Sequence, residues 1–138
     1  MNPLLGAWDL MSFEVFLEHG DSVFPYGREP FGLGIYTACG MVSAQLAPGP
    51  RTATPPSPLP GIPAYCAYVA RYTIDAERNS VEHHVIASTV EEWVGTVLHR
   101  TYELDGEFAL FRPSTSNNST PGRPVLIWRR RTERIGHE

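Results

Sequence analysis

Lysine is absent from this sequence of 138 residues, and all eleven of its basic residues are arginines. Without an ε-amine, the chain cannot form a Schiff base with a carbonyl group and cannot supply the lysine of a phosphate-binding loop. The Gly-x-Ser-x-Gly, His-Glu-x-x-His and Gly-x-Gly-x-x-Gly motifs are absent as well. Serine-triad hydrolysis, phosphoryl transfer and nicotinamide redox chemistry therefore have no support, and we predict no cofactor and no metal site.

Cysteines and long apolar runs are scarce. The two cysteines, Cys39 and Cys66, lie too far apart in the sequence to form a Cys-x-x-Cys motif or a zinc knuckle. We predict two free, partly buried thiols in a reducing compartment, and a disulfide only if the protein is exported. No run reaches the length of a membrane-spanning helix, and residues 1–5 lack the basic start of an export signal. The prediction is a cytoplasmic protein with no membrane partner.

The remaining composition is that of a single globular domain over residues 1–138, with 42% hydrophobic and 19% charged residues. The formal net charge of −4 argues against a broad surface for nucleic acid. Thirteen prolines and twelve glycines predict many turns, and these favour short strands over long helices.

Alternating and β-branched segments predict eight or nine short strands. They cover residues 6–19, 23–27, 32–37, 41–46, 65–75, 80–88, 96–104, 107–112 and 125–131. Asp105-Gly106 is the clearest hairpin signal and predicts a type I′ turn, while residues 89–93 could form a single helical turn. Since most strands follow one another directly, we predict an all-β fold: an antiparallel up-and-down barrel with a central ligand cavity.

Two loops and a tail interrupt the strand pattern. Residues 47–63 contain seven prolines, so that no helix or central strand can form there. A loop of this length in a small domain predicts a lid or a binding loop. Residues 113–124 form a second, polar loop, and residues 132–138 are predicted to be a frayed tail.

A series of short motifs resembles the small lipocalin-like domain proteins of bacteria and fungi. The motifs are Gly6-Ala7-Trp8-Asp9-Leu10, Ser12-Phe13-Glu14, Pro25-Tyr26-Gly27, Pro30-Phe31-Gly32, Ile35-Tyr36-Thr37, Gly40-Met41-Val42-Ser43, Tyr72-Thr73-Ile74-Asp75, Val81-Glu82-His83-His84-Val85, Trp93-Val94-Gly95-Thr96, Arg100, Glu103-Leu104-Asp105-Gly106 and Trp128. The resemblance implies a cup-shaped barrel, and related barrels include passive carriers and cofactor-free enzymes that cyclise or isomerise natural products. The loops 47–63 and 113–124 depart from the pattern.

Four residues, His83, His84, Arg100 and Glu14, are candidates for acid–base or electrostatic catalysis. His83 and His84 point to opposite faces of one strand, and the more apolar set around His83 favours that residue for the interior. If residues 80–88 pair with 96–104, Arg100 lies near one of these histidines and could stabilise a developing oxyanion. Alternatively, the histidine is an ordinary hydrogen-bonded residue, and Arg100 forms an exterior ion pair with Glu82 or Glu103.

Glu14 is the fourth catalytic candidate, because it shares the parity of Trp8 along the first strand. Trp8 is expected to close the bottom of the barrel, with Arg130 stacked on its ring. Without a bulge, Ser12 and Glu14 would then face the interior as well, whereas a bulge would turn Glu14 outward. The remaining substrate-binding candidates are aromatic: Tyr36, Tyr68, Tyr72, Trp93 and Trp128.

Together these features predict a cofactor-independent cyclase or isomerase, with pericyclase-like chemistry as one form of it, acting on a hydrophobic natural-product intermediate inside the barrel. The alternative is a carrier that binds a hydrophobic small ligand without turnover. A third reading is a solid barrel that serves only protein association. A homodimer is a further expectation, since short barrels can pair through one wall.

Overall fold

A computed structural model of the chain describes residues 2–49, 59, 62–114 and 122–132. Nine strands account for most of these residues. They are β1 (Gly6–Phe16), β2 (Ser22–Val23), β3 (Phe31–Tyr36), β4 (Met41–Ala47), β5 (Cys66–Asp75), β6 (Ser80–Ser88), β7 (Val97–Asp105), β8 (Phe108–Pro113) and β9 (Arg123–Arg130). Within the described residues, no helix has the length and hydrophobicity that crossing a membrane requires.

The strands form one antiparallel sheet that closes on itself. From β3 to β9 each strand pairs with the next in the chain, and β1 pairs with both β3 and β9. Eight strands therefore make the barrel, while the short β2 pairs with the last residues of β1. The predicted all-β, up-and-down barrel is confirmed. Closure leaves the barrel strands without a free edge, which an open sheet of this length would expose.

Alternation of side chains along the strands separates the interior from the surface. On β4, for example, Val42 and Ala44 are buried while Gln45 is exposed. The buried side chains of the barrel strands form one connected hydrophobic core, which extends to Leu4 and Tyr26 outside them. Each inward position is thus a neighbour of inward positions on both adjacent strands, which places side chains distant in sequence within one enclosed space.

Two bulges break this alternation. On β1 the register against β9 shifts between Leu10 and Ser12, so that Met11 is exposed and the inward parity changes from even to odd numbers. On β6 the register against β5 shifts at Ile86, which is also exposed. A bulge adds one residue to one strand, and every side chain beyond it consequently changes face.

The hairpin at Asp105 is one residue later than predicted. Asp105 still pairs with Phe108, so Gly106 and Glu107 are the central residues of the turn. Gly106 has φ +60°, while Glu107 has no positive φ, and the type I′ prediction is therefore wrong. The predicted helical turn is present as a 3₁₀ turn at Glu91–Trp93.

Much of the two long loops lies outside the described residues, as does most of the predicted tail. The lid prediction for residues 47–63 falls largely on residues 50–58, 60 and 61, and the polar loop largely on residues 115–121. In the described part of the first loop, Leu59 and Ile62 pack against the core. The Tyr26 hydroxyl donates a hydrogen bond of 2.6 Å to the carbonyl of Pro63.

Candidate functional site

A cavity of about 410 Å³ occupies the barrel interior. Its apolar walls include Phe13, Val42, Ala44, Leu46, Leu98, Phe111 and Leu126. Trp8 and Trp128 line it as well, together with residues of the connecting loops and of one strand terminus at the other end: Ile62, Pro63, Glu92, Trp93, Thr96, Ser114 and Pro124. We call this second group the loop end and the Trp8 side the closed end. The size suits one small organic molecule.

The N-terminal segment covers the closed end. Leu4 is fully buried, and its carbonyl accepts a 2.9 Å hydrogen bond from the indole nitrogen of Trp8. The Arg130 guanidinium lies 4.2 Å from the centre of the Trp8 ring and donates to the carbonyls of Pro3 and Leu5. The predicted stacking of Arg130 on Trp8 is confirmed, and it is a structural contact that holds the segment over the barrel.

His83 lies in the interior between two tyrosines. It is 3% exposed, and its Nε2 and Nδ1 atoms lie 2.7 Å and 2.8 Å from the hydroxyls of Tyr36 and Tyr68, respectively. Strand alternation on β3, β5 and β6 turns all three side chains inward. Both ring nitrogens are therefore engaged, and His83 meets any guest mainly through the two phenols.

Burial makes these groups neutral. Desolvation, followed by the charges of Arg100 and His84, lowers the pKa of His83 well below its ordinary value. Desolvation likewise raises the pKa of Tyr36 and of Tyr68. A neutral imidazole has one N–H, so one phenol donates to His83 and the other accepts from it. The accepting phenol keeps its own hydrogen free of His83 and can donate it to a guest.

Arg100 supplies positive charge to the cavity. It pairs with Val81 across β6 and β7, which are joined as the sequence predicted, and this register directs its side chain inward. Its charge and a hydrogen bond from its guanidinium act against the desolvation that raises the pKa of Tyr68. The exterior ion pairs proposed as the alternative do not form, since Glu103 pairs with Arg112 and Glu82 with His84.

Among the predicted site residues, His83, Arg100, Trp8, Tyr36, Tyr68, Trp93 and Trp128 line the cavity. The ring of Trp93 meets that of Tyr68 edge-on at 5.9 Å. Tyr72 was predicted to contact the substrate but does not line the cavity. Its hydroxyl donates to the Thr37 carbonyl and accepts from Asn2, and its ring packs edge-on against Tyr36 at 4.8 Å. Tyr72 therefore supports Tyr36 from behind.

The predicted site residues Glu14, Ser12 and His84 do not line the cavity, and the bulge that was the stated alternative for the first strand is present. The bulge at Met11 reverses the parity of β1, so Phe13 lines the cavity while Ser12 and Glu14 do not. Glu14 instead accepts a 2.6 Å hydrogen bond from the Ser22 hydroxyl of β2. His84 faces outward, 3.6 Å from Glu82, because adjacent residues of a strand point to opposite faces.

Sequence reasoning missed three lining residues of chemical interest: Phe13, Tyr26 and Cys66. Phe13 could not be found without knowledge of the bulge. Tyr26 lies in the Pro25-Tyr26-Gly27 motif, which was a signal of its importance, while Cys66 follows from the parity it shares with Tyr68. Desolvation raises the pKa of the Cys66 thiol to about 11, which makes it a poor nucleophile.

The part of the chain that the structure describes contains no cluster of metal-ligating side chains. No group of three or more histidine, cysteine, aspartate or glutamate side chains there could hold a metal ion.

Comparison with known proteins agrees with this architecture. A search of curated proteins finds no match. Among solved structures, the chain is similar to Rv2717c from M. tuberculosis, with 12% identity over 95% of this chain and 94% of that chain and a TM-score of 0.42. A likeness this distant carries no argument about activity. The family model described as "Lipocalin-like domain" matches residues 5–131, and the chain accordingly belongs to the lipocalin-like domain family.

Proposed function

We propose that this protein binds a hydrophobic small molecule inside its barrel and orients it through a polar group of that molecule. One observation carries the proposal: the connected set Arg100, Tyr68, His83 and Tyr36 lies within an otherwise largely apolar cavity of about 410 Å³. We call this set the polar chain. A solid barrel for protein association, the third reading of the sequence, would have no such space.

Binding in such a cavity combines burial of apolar surface with contacts to a few fixed polar groups. A lipocalin-like barrel domain suggests the binding of small hydrophobic ligands, and apolar surface removed from water contributes about 25 cal/mol per Å². The polar chain orients the guest. When the guest displaces water from a hydrogen-bond donor of this chain, the donor needs an acceptor atom on the guest in place of the water. A guest that places an oxygen at Tyr36, Tyr68 or Arg100 would satisfy this requirement.

Binding can be tested without knowing the natural guest. All three tryptophans of the sequence line the cavity, so intrinsic fluorescence reports on its occupancy. Native mass spectrometry of freshly purified protein should detect a lipophilic passenger. Titration of the stripped protein with hydrophobic alcohols and acids should change the tryptophan emission saturably. A protein that carries no passenger and binds none of these probes would contradict the proposal.

Catalysis is the second candidate function, and the position of Arg100 beside Tyr68 favours it. A guanidinium and a phenol that donate to one carbonyl oxygen would polarise it, while the walls would hold a reactive conformer. In this scheme the protein is a cofactor-independent cyclase or isomerase of a natural-product intermediate. Glu14 and His84 take no part because both lie outside the cavity, and His83 acts as a positioning residue for the two phenols.

An enolisable ketone provides a direct test of this candidate. In buffered D₂O, where the buffer base removes the α-proton and the polarised carbonyl stabilises the enolate, the wild-type protein should accelerate exchange of the α-protons of 4-phenyl-2-butanone at least tenfold, as followed by NMR. The Arg100→Met variant should lose the acceleration, while a His84→Gln variant should retain it because His84 is exterior. Exchange at the rate of buffer alone would argue against catalysis and leave the binding function intact.

A further inference from the structure

We infer that the guest is an organic anion, a lipophilic carboxylate whose charged oxygens meet the guanidinium of Arg100. This inference rests on the proposed binding function and names the chemical class of the ligand. The inference depends on which charged groups lie in and around the cavity and on their partners, and cavity size plays no part in it.

Arg100 has no carboxylate partner among the described residues. The ion pairs of the described arginines involve Arg78, Arg112, Arg129 and Arg131. Besides its contact with Tyr68, the one hydrogen bond of the Arg100 side chain within the described part of the chain is a long one of 3.4 Å to the backbone carbonyl of His99. A half-buried guanidinium without a counter-ion is costly, because its desolvation is not offset by an opposite charge.

The acidic residues nearest in the fold do not fill this role. Glu92 is the one carboxylate among the described lining residues, and it is exposed at the loop end without an ion pair to Arg100. Glu82 on the adjacent strand β6 contacts His84, and Glu103 on β7 itself pairs with Arg112, so neither of these carboxylates meets Arg100. By sequence, residues 48–65 and 115–124 contain no aspartate or glutamate, so neither loop can supply one.

The other titratable groups that line the cavity around Arg100 are neutral. The charge of Arg100 contributes to lowering the pKa of His83, after desolvation, and acts against the raised pKa of Tyr36, Tyr68 and Cys66. Each of these contributions lowers a pKa, as a positive electrostatic potential at the titrating group does. An anion in the cavity would experience that potential as attraction, whereas a neutral guest of the same shape would not.

The donors also match the shape of a carboxylate. A guanidinium presents two parallel N–H groups that fit both oxygens of a carboxylate at once. The phenol hydrogen that His83 leaves free, on Tyr36 or Tyr68, provides a further donor on the same side of the cavity. The apolar part of the molecule would then lie against Val42, Leu46 and Phe111.

Two pairs of probes test the inference by isothermal titration calorimetry at pH 8, where carboxylic acids are ionised. Dodecanoate is compared with 1-dodecanol, and 4-phenylbutanoate with 4-phenyl-1-butanol. The wild-type protein should bind at least one carboxylate tenfold or more tightly than its alcohol. Equal affinity for the members of both pairs would overturn the anion inference while leaving the binding function in place. Failure of all four probes to bind would overturn both.

Two arginine variants test whether Arg100 is the source of the preference for the carboxylate over the alcohol. Arg100→Met keeps the apolar stem and removes the charge, so the carboxylate should lose its advantage while the alcohol binds about as before. Arg112→Met is the matched control, because Arg112 is an exposed arginine on the next strand that pairs with Glu103. It should leave the tenfold preference unchanged. A preference that survives in Arg100→Met would contradict the role of Arg100, and circular dichroism melting verifies that each variant is folded.

Discussion

At the scale of single residues, His83 shows how the barrel changes an ordinary side chain. Its ring is enclosed by two phenols that are themselves neutral, and the side chain is almost wholly buried. The protonated form would have to displace one of these hydrogen bonds and would face the charge of Arg100. His83 therefore stays neutral in the folded protein under conditions where an exposed histidine begins to take up a proton.

This difference predicts a dependence of stability on pH. The pKa of His83 is lower in the folded state than the ordinary value of 6.5, so the unfolded state binds more protons as the pH falls below about 6.5. The free energy of unfolding should decrease between pH 7.5 and pH 5.5, with a limiting slope of about 1.4 kcal/mol per pH unit from this residue. Urea unfolding across this range measures the slope.

A pair of histidine variants isolates the contribution. His83→Gln keeps a hydrogen-bonding side chain without a proton to titrate, so it should reduce the slope. His84→Gln changes the exterior neighbour and should leave most of the slope unchanged. If both variants keep the wild-type pH dependence, the slope comes from other residues and the prediction is wrong.

Residue parity made part of the site predictable. His83 was assigned to the interior from the apolar set it shares with Val81 and Val85, and the placement of Arg100 followed from the pairing of two neighbouring strands. Tyr72 could not be separated from Tyr68 in this way, since both have the same parity on β5. Only their distance from the closed end distinguishes a cavity phenol from one that bonds the Thr37 carbonyl.

At the scale of elements, the first strand decides which polar groups enter the cavity. Up to Leu10 its even-numbered residues face inward, and beyond the bulge Phe13 and Val15 do so. The same strand also contacts β3 unusually closely. A Cβ atom added at Gly32 would lie 2.6 Å from the Cβ of Leu10, whereas one at Gly34 would lie 3.5 Å from the ring of Trp128.

The two glycines of β3 should therefore respond differently to alanine. Gly32→Ala forces β1 and β3 apart and should lower the free energy of unfolding by about 1–3 kcal/mol, as overpacking does. Gly34→Ala makes an ordinary contact and, since alanine restricts the unfolded chain, should change it by less than about 1 kcal/mol. Urea unfolding of both variants measures the difference. Equal losses would show that the close approach at Leu10 is not the limiting contact.

At the scale of the whole molecule, the pairing of β1 with β9 turns a sheet into a container. The described part of the chain has no buried side-chain nitrogen or oxygen without a hydrogen-bond partner. The buried polar side-chain atoms described thus have their hydrogen-bond partners within the protein, and the space that the walls enclose is available to a guest. The proposed function depends on that space rather than on any single wall residue.

Filling the cavity tests this dependence. Ala44→Phe places a phenyl ring in the cavity from β4, where the small side chain of Ala44 is buried against the lumen. Dodecanoate affinity should fall at least tenfold, while the free energy of unfolding changes by no more than about 1–2 kcal/mol because the ring enters existing space. Gln45→Phe puts the same ring on the exterior and should leave the affinity unchanged. Undiminished binding by Ala44→Phe would place the guest elsewhere.

The sequence by itself determined the fold class, the strand order and several inward-facing residues. Alternation and turn residues are local properties, and a chain of short strands joined as neighbours has few ways to close. Tertiary structure alone decided where β1 bulges, which tyrosines reach the cavity and that Arg100 has no carboxylate partner among the described residues. These features depend on register across strands distant in sequence, and a shift of one residue exchanges the inside of the barrel for its surface.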